Sequence, residues 1–477
     1  MLADKWKTIL CLVIFLLSLS VRGLTAYFIH THLSDPAWFQ AGTYELFDRK
    51  AQDILDHKAS AFWIDDPTHT ESAVYPPGYP LWIAGIYKLT GERSPSSVQK
   101  IQWILDALSV LLVVGIGVTA FDYRVGIVSG LLASLSPLLA LSGAVPLADA
   151  PTSWLVLGAV WLLMVAAKRQ KLVPALLAGL LVGLSCWLRA NALLLPVFWI
   201  GALLLWKVSW RSRLLLSGGV VIGMAVLVTP LLIRNAVAFQ VFTPTGLGVG
   251  TNLWEGIGET DRAAEFGAVY GDQKLLEKER LELGVSPEAT FNLYYPDGVK
   301  RDRERARRAM SIIRAHPVWY AGVMLRRMVG VLKFAGTPAR YYGSSGVNVT
   351  SSKCLPVTMQ GGFLSLLVKA LGMVQSVLRY LALPLMILGI GIALKRDWRL
   401  AFLLLSTILY YLIVGSALHT EIRYGLPMQA LLFVFAGLAV ARVIHRLHSA
   451  PDRQRRIDEV IYEASLGVKR FVNTPRP

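Results

Sequence analysis

The chain has 477 residues, 54% of them hydrophobic and only 17% charged, with a mean hydropathy of +0.51. That is too apolar for an ordinary soluble globule and indicates a polytopic membrane protein. The formal net charge of +17 sits in short connectors between apolar runs: "KRQK" (168–171), "KVSWRSR" (207–213), "KRDWR" (395–399) and the tail from Arg442 onward. This is the positive-inside pattern, with contact to anionic lipid, and it argues against nucleic-acid binding.

The first apolar run, "TILCLVIFLLSLSVRGLTAYFI", follows Lys5 and Lys7. Its length and the lack of a small-x-small cleavage site predict an uncleaved first span, not a signal peptide. Further spans are predicted near 98–120, 125–142, 152–168, 172–188, 192–206, 214–234, 371–394, 400–417 and 424–444, each long enough or nearly so to cross the hydrocarbon. The runs are continuous and rich in Leu, Ala, Val and Gly, so helices are expected, not a barrel. The fold class is thus an all-α polytopic membrane protein with about ten crossings and both termini cytoplasmic. The stretch 318–336 carries Arg326, Arg327 and Lys333. It is expected either to lie on the outer interface as an amphipathic helix or to belong to an extra pair of spans, giving up to twelve.

The membrane domain is expected over 1–444, with outer loops near 30–100 and 235–370, followed by a basic cytoplasmic tail, 445–477. Within the second loop, "DQKLLEKERLELG" (272–284) and "RDRERARRAMSIIRAH" (301–316) read as solvated helices with salt-bridged faces. Cys11, Cys186 and Cys354 form neither a disulfide framework nor a zinc signature. No Walker loop or dinucleotide fingerprint is present, which weighs against a primary pump. His30, His32, His69 and Glu71 match no metal-site spacing, and no metal or cofactor is expected.

Six polar stretches fall on the outer side of this topology. "HTHLSDPAWFQ" (30–40) holds Asp35, either the N-cap of a helix beginning at Pro36 or a functional acid. "AVYPPGYPLW" (73–82) makes a stiff loop framed by Tyr75 and Tyr79, whose hydroxyls can meet phosphate or sugar oxygens. "AVPLADAPTSW" (144–154) carries Asp149, and "WLRANALLLP" (187–196) carries Arg189. "LIRNAVAFQVFTPTGLGVGTNLWEG" (232–256) carries Arg234, Asn235 and Asn252, and "SALHTEIRYGLPMQ" (416–429) carries His419, Glu421, Arg423 and Tyr424. Taken singly, charges at span ends anchor helices in the interface. Gathered on one face, acids that can serve as bases and arginines that can hold a phosphate suit a lipid-phosphate substrate.

These stretches, in this order and over nearly the whole chain, resemble the GT-C glycosyltransferases that take sugar from a polyprenyl phosphate. The pattern is closest to the protein O-mannosyltransferases and lipid A aminoarabinose transferases of bacteria. The resemblance implies that Asp35 is the catalytic carboxylate of the first outer loop. Where the family commonly has a second acid this chain has Pro36, and where the aminoarabinose transferases carry a lysine before their Pro-Pro pair it has Tyr75. Arg189, Arg234 and Arg423 are the candidates to hold the lipid phosphate, with Tyr75, Tyr79, Asp149, Asn252 and Tyr424 as further substrate-binding residues.

The implied reaction moves one sugar from a polyprenyl phosphate to a hydroxyl of a glycan, lipid or protein acceptor, with inversion, outside the bacterial cytoplasmic membrane. The rivals are a secondary transporter or lipid flippase, and an oligosaccharyl transferase or polysaccharide ligase working from a pyrophosphate carrier. Few ionisable groups lie mid-span and both outer loops are long, which disfavours the transporter.

Overall fold

A computed structural model describes residues 2–30, 41–58, 75–244, 246–332, 362–419 and 422–446. Asp35, Cys354, Glu421 and nearly all of the basic tail lie outside the described residues, as do His32, His69 and Glu71. The described chain is helical. It begins with α1 (Leu2–His30), α2 (Ala41–Leu55), α3 (Gly78–Thr90), α4 (Pro95–Ala120), α5 (Tyr123–Leu135), α6 (Pro137–Ala144), α7 (Asp149–Arg169) and α8 (Leu172–Leu188). A 3-10 turn at Ala190–Ala192 precedes α9 (Leu195–Leu204) and α10 (Trp210–Phe239). Then come α11 (Val249–Gly258), α12 (Asp272–Glu282), α13 (Gly298–Ala315), α14 (Pro317–Leu332), α15 (Gly362–Ser416) and α16 (Arg423–Arg446).

Among the described residues, six helices are long and apolar enough to cross a membrane, seven if α5 and α6 form one broken span. That pair was read from sequence as one continuous span. It bends by 61° where Ser136 caps α6 through the Leu139 amide and Pro137 occupies its first turn, a strong local start signal inside an apolar run. Conversely, α15 is interrupted at Asp397, whose backbone is extended (φ −155°, ψ 92°). The break falls in the basic connector between the two sequence-predicted spans. α8 and α9 are shorter apolar helices. Of the stretch 318–336, residues 318–332 belong to α14, which is not among the described helices long and apolar enough to cross, and the rest lies outside the described residues.

The basic connectors meet at one end of the bundle. Lys168 bonds the Thr119 carbonyl, Arg399 Nε donates to the Leu205 carbonyl at 3.1 Å, and Arg396 lies 3.9 Å from Asp122. From that end α8 runs about 25 Å to Arg189, at 1.5 Å per residue, so Arg189 emerges at the opposite end.

Close helix crossings rest on small residues. Gly179 and Gly183 of α8 pack against Val220, Met224 and Leu227 of α10, and Gly219 and Gly223 of α10 against Leu172, Ala175, Leu176 and Leu180 of α8; a Cβ on Gly179 or Gly223 would come 2.1 Å from a carbonyl oxygen of the other helix. Gly223→Leu is therefore expected to cost at least about 2 kcal/mol through overpacking, read as a lowered thermal midpoint in detergent. Gly218→Leu, on the same helix but facing open space, serves as the control and should unfold like the parent.

One further polar contact ties the spans together. Arg22 of α1 and Asp106 of α4 pair at 2.5 Å, with 1% and 8% of their side chains exposed. Trp154 Nε1 donates to the same carboxylate at 2.6 Å. Gln99 and Gln102 then bond the carbonyls of Ala26, Ala144 and Val145, locking the end of α1 against the α6–α7 connector.

Candidate active site

A cleft of about 580 Å³ opens at the end of the bundle opposite the basic connectors, within the range of small-ligand pockets. Its floor is made by the ends of spans. Asp149 stands in the first turn of α7, where a carboxylate opposes the positive end of the helix dipole. Arg189 follows the last turn of α8 in an extended conformation, its amide still bonded to the Ser185 carbonyl at 2.8 Å, and so turns out of the helix. The two form an ion pair through Asp149 Oδ1. Asp149 Oδ2 lies 3.8 Å from Arg423 Nη1 and is buried without a hydrogen-bond partner.

Tyr424 completes the floor. The Arg189 guanidinium stacks 4.4 Å from the centre of its ring and that of Arg423 5.4 Å from it. Asn191 Nδ2 donates to the Tyr424 carbonyl at 3.3 Å, and Tyr410 donates to the Asn191 carbonyl at 2.7 Å, which fixes this turn against α15. Tyr75 lines the same side, its ring 5.0 Å from Phe47. Burial pushes the Tyr75 phenol up, and the nearby Arg189 charge pulls it back.

The Pro-Pro-Gly-Tyr-Pro loop holds Tyr75 in place by close contact with α8. A Cβ on Gly78 would stand 2.5 Å from the Trp187 carbonyl oxygen, so only glycine permits this approach. Tyr79 points inward, fully buried, and donates to Gln102 Oε1 at 3.2 Å.

The wall of the cleft comes from α11 and α12. Asp302 of α13 accepts from the amides of Gly248, Gly250 and Thr251 at 3.3, 3.2 and 2.9 Å, and from the Thr251 hydroxyl at 3.0 Å, capping α11 from another helix. Thus anchored, α11 presents Asn252 and Glu255 to the cleft. Glu255 is 7% exposed. Burial first, and the neighbouring Asp272 carboxylate next, push it up to about 8.

The wall is joined to the floor through Glu259, which accepts from Arg327 Nη2 at 3.0 Å and pairs with His419 Nδ1 at 2.5 Å. The His419 amide in turn donates to the Asn252 carbonyl at 2.9 Å. Behind the wall, Glu279 of α12 bridges Arg301 and Arg305 of α13 at 2.5 and 2.6 Å. The two charged stretches therefore do form salt-bridged helices, but their central bridge is largely buried, with Arg305 at 3%.

Of the residues singled out from sequence, the cleft brings together Tyr75, Asp149, Arg189, Asn252, Arg423 and Tyr424. Tyr79 and Arg234 are not among its lining residues; Arg234 packs 5.0 Å over the Phe239 ring and donates to Asn235 Oδ1. Sequence reasoning passed over Glu255, Tyr270 and Asp272. Glu255 stood inside a quoted stretch, and the signal was an acid next to Trp254 in an otherwise apolar short helix. Among the described residues no group of three or more His, Cys, Asp or Glu side chains could hold a metal ion.

The sequence matches the model of the dolichyl-phosphate-mannose-protein mannosyltransferase family over residues 74–233. No curated protein matches. The fold is similar to that of an archaeal oligosaccharyltransferase, AglB from Archaeoglobus fulgidus in complex with an inhibitory peptide and a dolichol-phosphate. The TM-score is 0.55 at 14% identity, covering 95% of this chain and 52% of that one. The apo form of the Archaeoglobus fulgidus oligosaccharyltransferase gives 0.53 at 14% identity, with the same coverage. ArnT from Cupriavidus metallidurans bound to undecaprenyl phosphate gives 0.34 at 14% identity, covering 94% of this chain and 79% of that one. This chain spans about half the length of the archaeal structures. By sequence over the segment that carries Tyr75, Asp149 and Arg189, and by fold over nearly its whole length, it is similar to the GT-C glycosyltransferases.

Proposed function

We propose that this protein is an integral membrane glycosyltransferase that moves a single sugar from a polyprenyl phosphate to an acceptor hydroxyl at the outer face of a bacterial cytoplasmic membrane. The observation that carries this reading is the convergence of Asp149, Arg189, Arg423 and Tyr424 on one cleft, at the end of the bundle away from the basic connectors. The positive-inside rule supports an outer position for the cleft. Ten crossings follow if α8, α9 and both arms of α15 each span.

In this mechanism the acceptor oxygen attacks the anomeric carbon as its proton passes to Asp35. The bond from that carbon to the phosphate oxygen breaks on the opposite side, inverting configuration, and polyprenyl phosphate leaves with the bonding pair. Arg189 and Arg423 stabilise the charge that grows on the departing phosphate. The assignment of Asp35 rests on its place in the family pattern. It is supported by the neighbouring α2, which sends Phe47 to the cleft.

The test is transfer by the purified Asp35→Asn protein in lipid nanodiscs. Turnover is expected to fall by about 10²–10⁴-fold, the usual size of a general-base contribution, while undecaprenyl phosphate binds as tightly as to the parent. Turnover near the parent's would remove Asp35 from the mechanism.

The likeness to AglB favours oligosaccharyl transfer as the second reading. Supplying undecaprenyl-phosphate sugars against pyrophosphate-linked oligosaccharides separates the two. Movement of lipid in proteoliposomes with no covalent product would instead support a flippase.

A further inference from the structure

The cleft has two chemically different sides. Its floor is cationic and belongs mostly to the spans, whereas its wall carries Glu255 and the segment Tyr270 to Lys274 and lies outside residues 74–233, which match the family model. Gly271, with φ +98°, makes the turn that starts α12 and brings both Tyr270 and Asp272 to the cleft. Glu255 and Asp272 both line this side of the cleft, close enough that the Asp272 carboxylate adds to burial in pushing the Glu255 carboxyl up. Tyr270 offers an exposed ring, 5.9 Å from that of His419.

A second feature, on the facing side, also asks for a ligand. Asp149, a lining residue of the cleft, is 5% exposed, and its Oδ2, 3.8 Å from Arg423 Nη1, has no hydrogen-bond partner. A carboxylate on the floor, two carboxyls on the wall and an aromatic ring at the rim are the groups that grip a polyhydroxylated ring. Arg189, Arg423 and Tyr75 line the same cleft of about 580 Å³ as Glu255 and Asp272, so a sugar joined to a phosphate on the floor arginines shares that space with the wall.

We propose that Glu255 and Asp272 form the subsite that holds the hydroxyl groups of the transferred sugar, and that they select neutral glycosyl groups over acidic ones. This rests on the reading that Arg189 and Arg423 hold a lipid phosphate. A neutral sugar offers hydroxyls to both carboxyls, while a uronic acid brings a third carboxylate against them and is repelled.

The experiment measures dissociation constants of the full chain in nanodiscs for three lipids: undecaprenyl phosphate, undecaprenyl-phosphate mannose and undecaprenyl-phosphate mannuronic acid. The parent should bind the mannosyl lipid about tenfold tighter than the bare phosphate, the effect of one hydrogen bond to a charged group, and the uronosyl lipid no tighter. Glu255→Ala should lose the mannosyl gain and keep the bare-lipid affinity. Asp272→Asn, at an exposed position where folding is not at stake, should admit the uronosyl lipid.

A mannosyl gain that survives in both variants overturns the subsite, and so does a parent that binds all three lipids alike. Equal weakening of all three lipids in both variants would show a structural role instead. If the parent fails to bind bare undecaprenyl phosphate, or Arg189→Ala binds it as well as the parent, the lipid-phosphate reading itself falls.

Discussion

Arg189→Ala is expected to weaken binding of undecaprenyl phosphate by about 10- to 100-fold, the loss of one charge-assisted contact. Turnover should fall further, because the charge on the phosphate is greatest as the bond to the sugar breaks. The substitution also leaves Asp149 with Arg423, 3.8 Å away, as its cation. Arg189 keeps 24% exposure, so the stability loss should be only about 1–2 kcal/mol, less than for a fully buried pair. Arg189→Lys separates charge from shape: it retains a cation but lacks the planar group that stacks on Tyr424, and should recover only part of the binding. Isothermal titration with the bare lipid reads both variants. Parent-like affinity in Arg189→Ala would move the phosphate site elsewhere.

The second large effect lies within the membrane. Arg22→Met strips the cation from Asp106, a carboxylate 8% exposed among apolar helices, and should cost about 3–5 kcal/mol. The double variant Arg22→Met with Asp106→Asn keeps the hydrogen bond from Trp154 and should regain most of that loss. Thermal unfolding of the two proteins in the same detergent makes the comparison. If the double variant is no more stable than the single one, the ion pair is not what holds α1 to α4. The pair matters beyond stability, because α1 leads directly into the segment that carries Asp35. On the proposed reading a shift of α1 along α4 also shifts the start of the segment that carries Asp35, so activity in the single variant should fall more than the folded fraction does.

The membrane body was legible because lipid forces long apolar runs and leaves charge only at their ends. What the pattern blurred was internal breaks. Ser136-Pro137 sits in a run apolar on both sides, and hydropathy averages over it, although the cap and the proline were in plain view. The paired charges of Arg22 and Asp106 were likewise single letters inside apolar runs. An ionisable residue inside a span is expected to have a partner, but sequence does not say which one across 84 positions.

For the site, Asp149, Arg189, Arg423 and Tyr424 could be chosen because each ends or begins a span on the same side. The wall was harder. Asp272 opens a helix full of charges and reads as solvated, and Glu255 becomes informative only once α11 is seen to turn it inward. Arg234 has the same sequence credentials as Arg189, a cation at the same end of a span, yet it packs on Phe239. Helix ends fix the depth of a side chain in the membrane, whereas its azimuth depends on neighbours that no local pattern records.

The capping of α11 by Asp302 has one more consequence. The stretch "TPTGLGVG" leading into that helix looks like a backbone cradle for phosphate, but two of its amides, Gly248 and Gly250, and that of Thr251 just after it are already occupied by a carboxylate of the same chain. On the proposed reading those three amides are not offered to the lipid head group, which is recognised by the Arg189 and Arg423 side chains. Affinity set that way can be retuned by a single codon, so descendants of this chain could exchange one anionic carrier for another while the main chain around the cleft stays as it is.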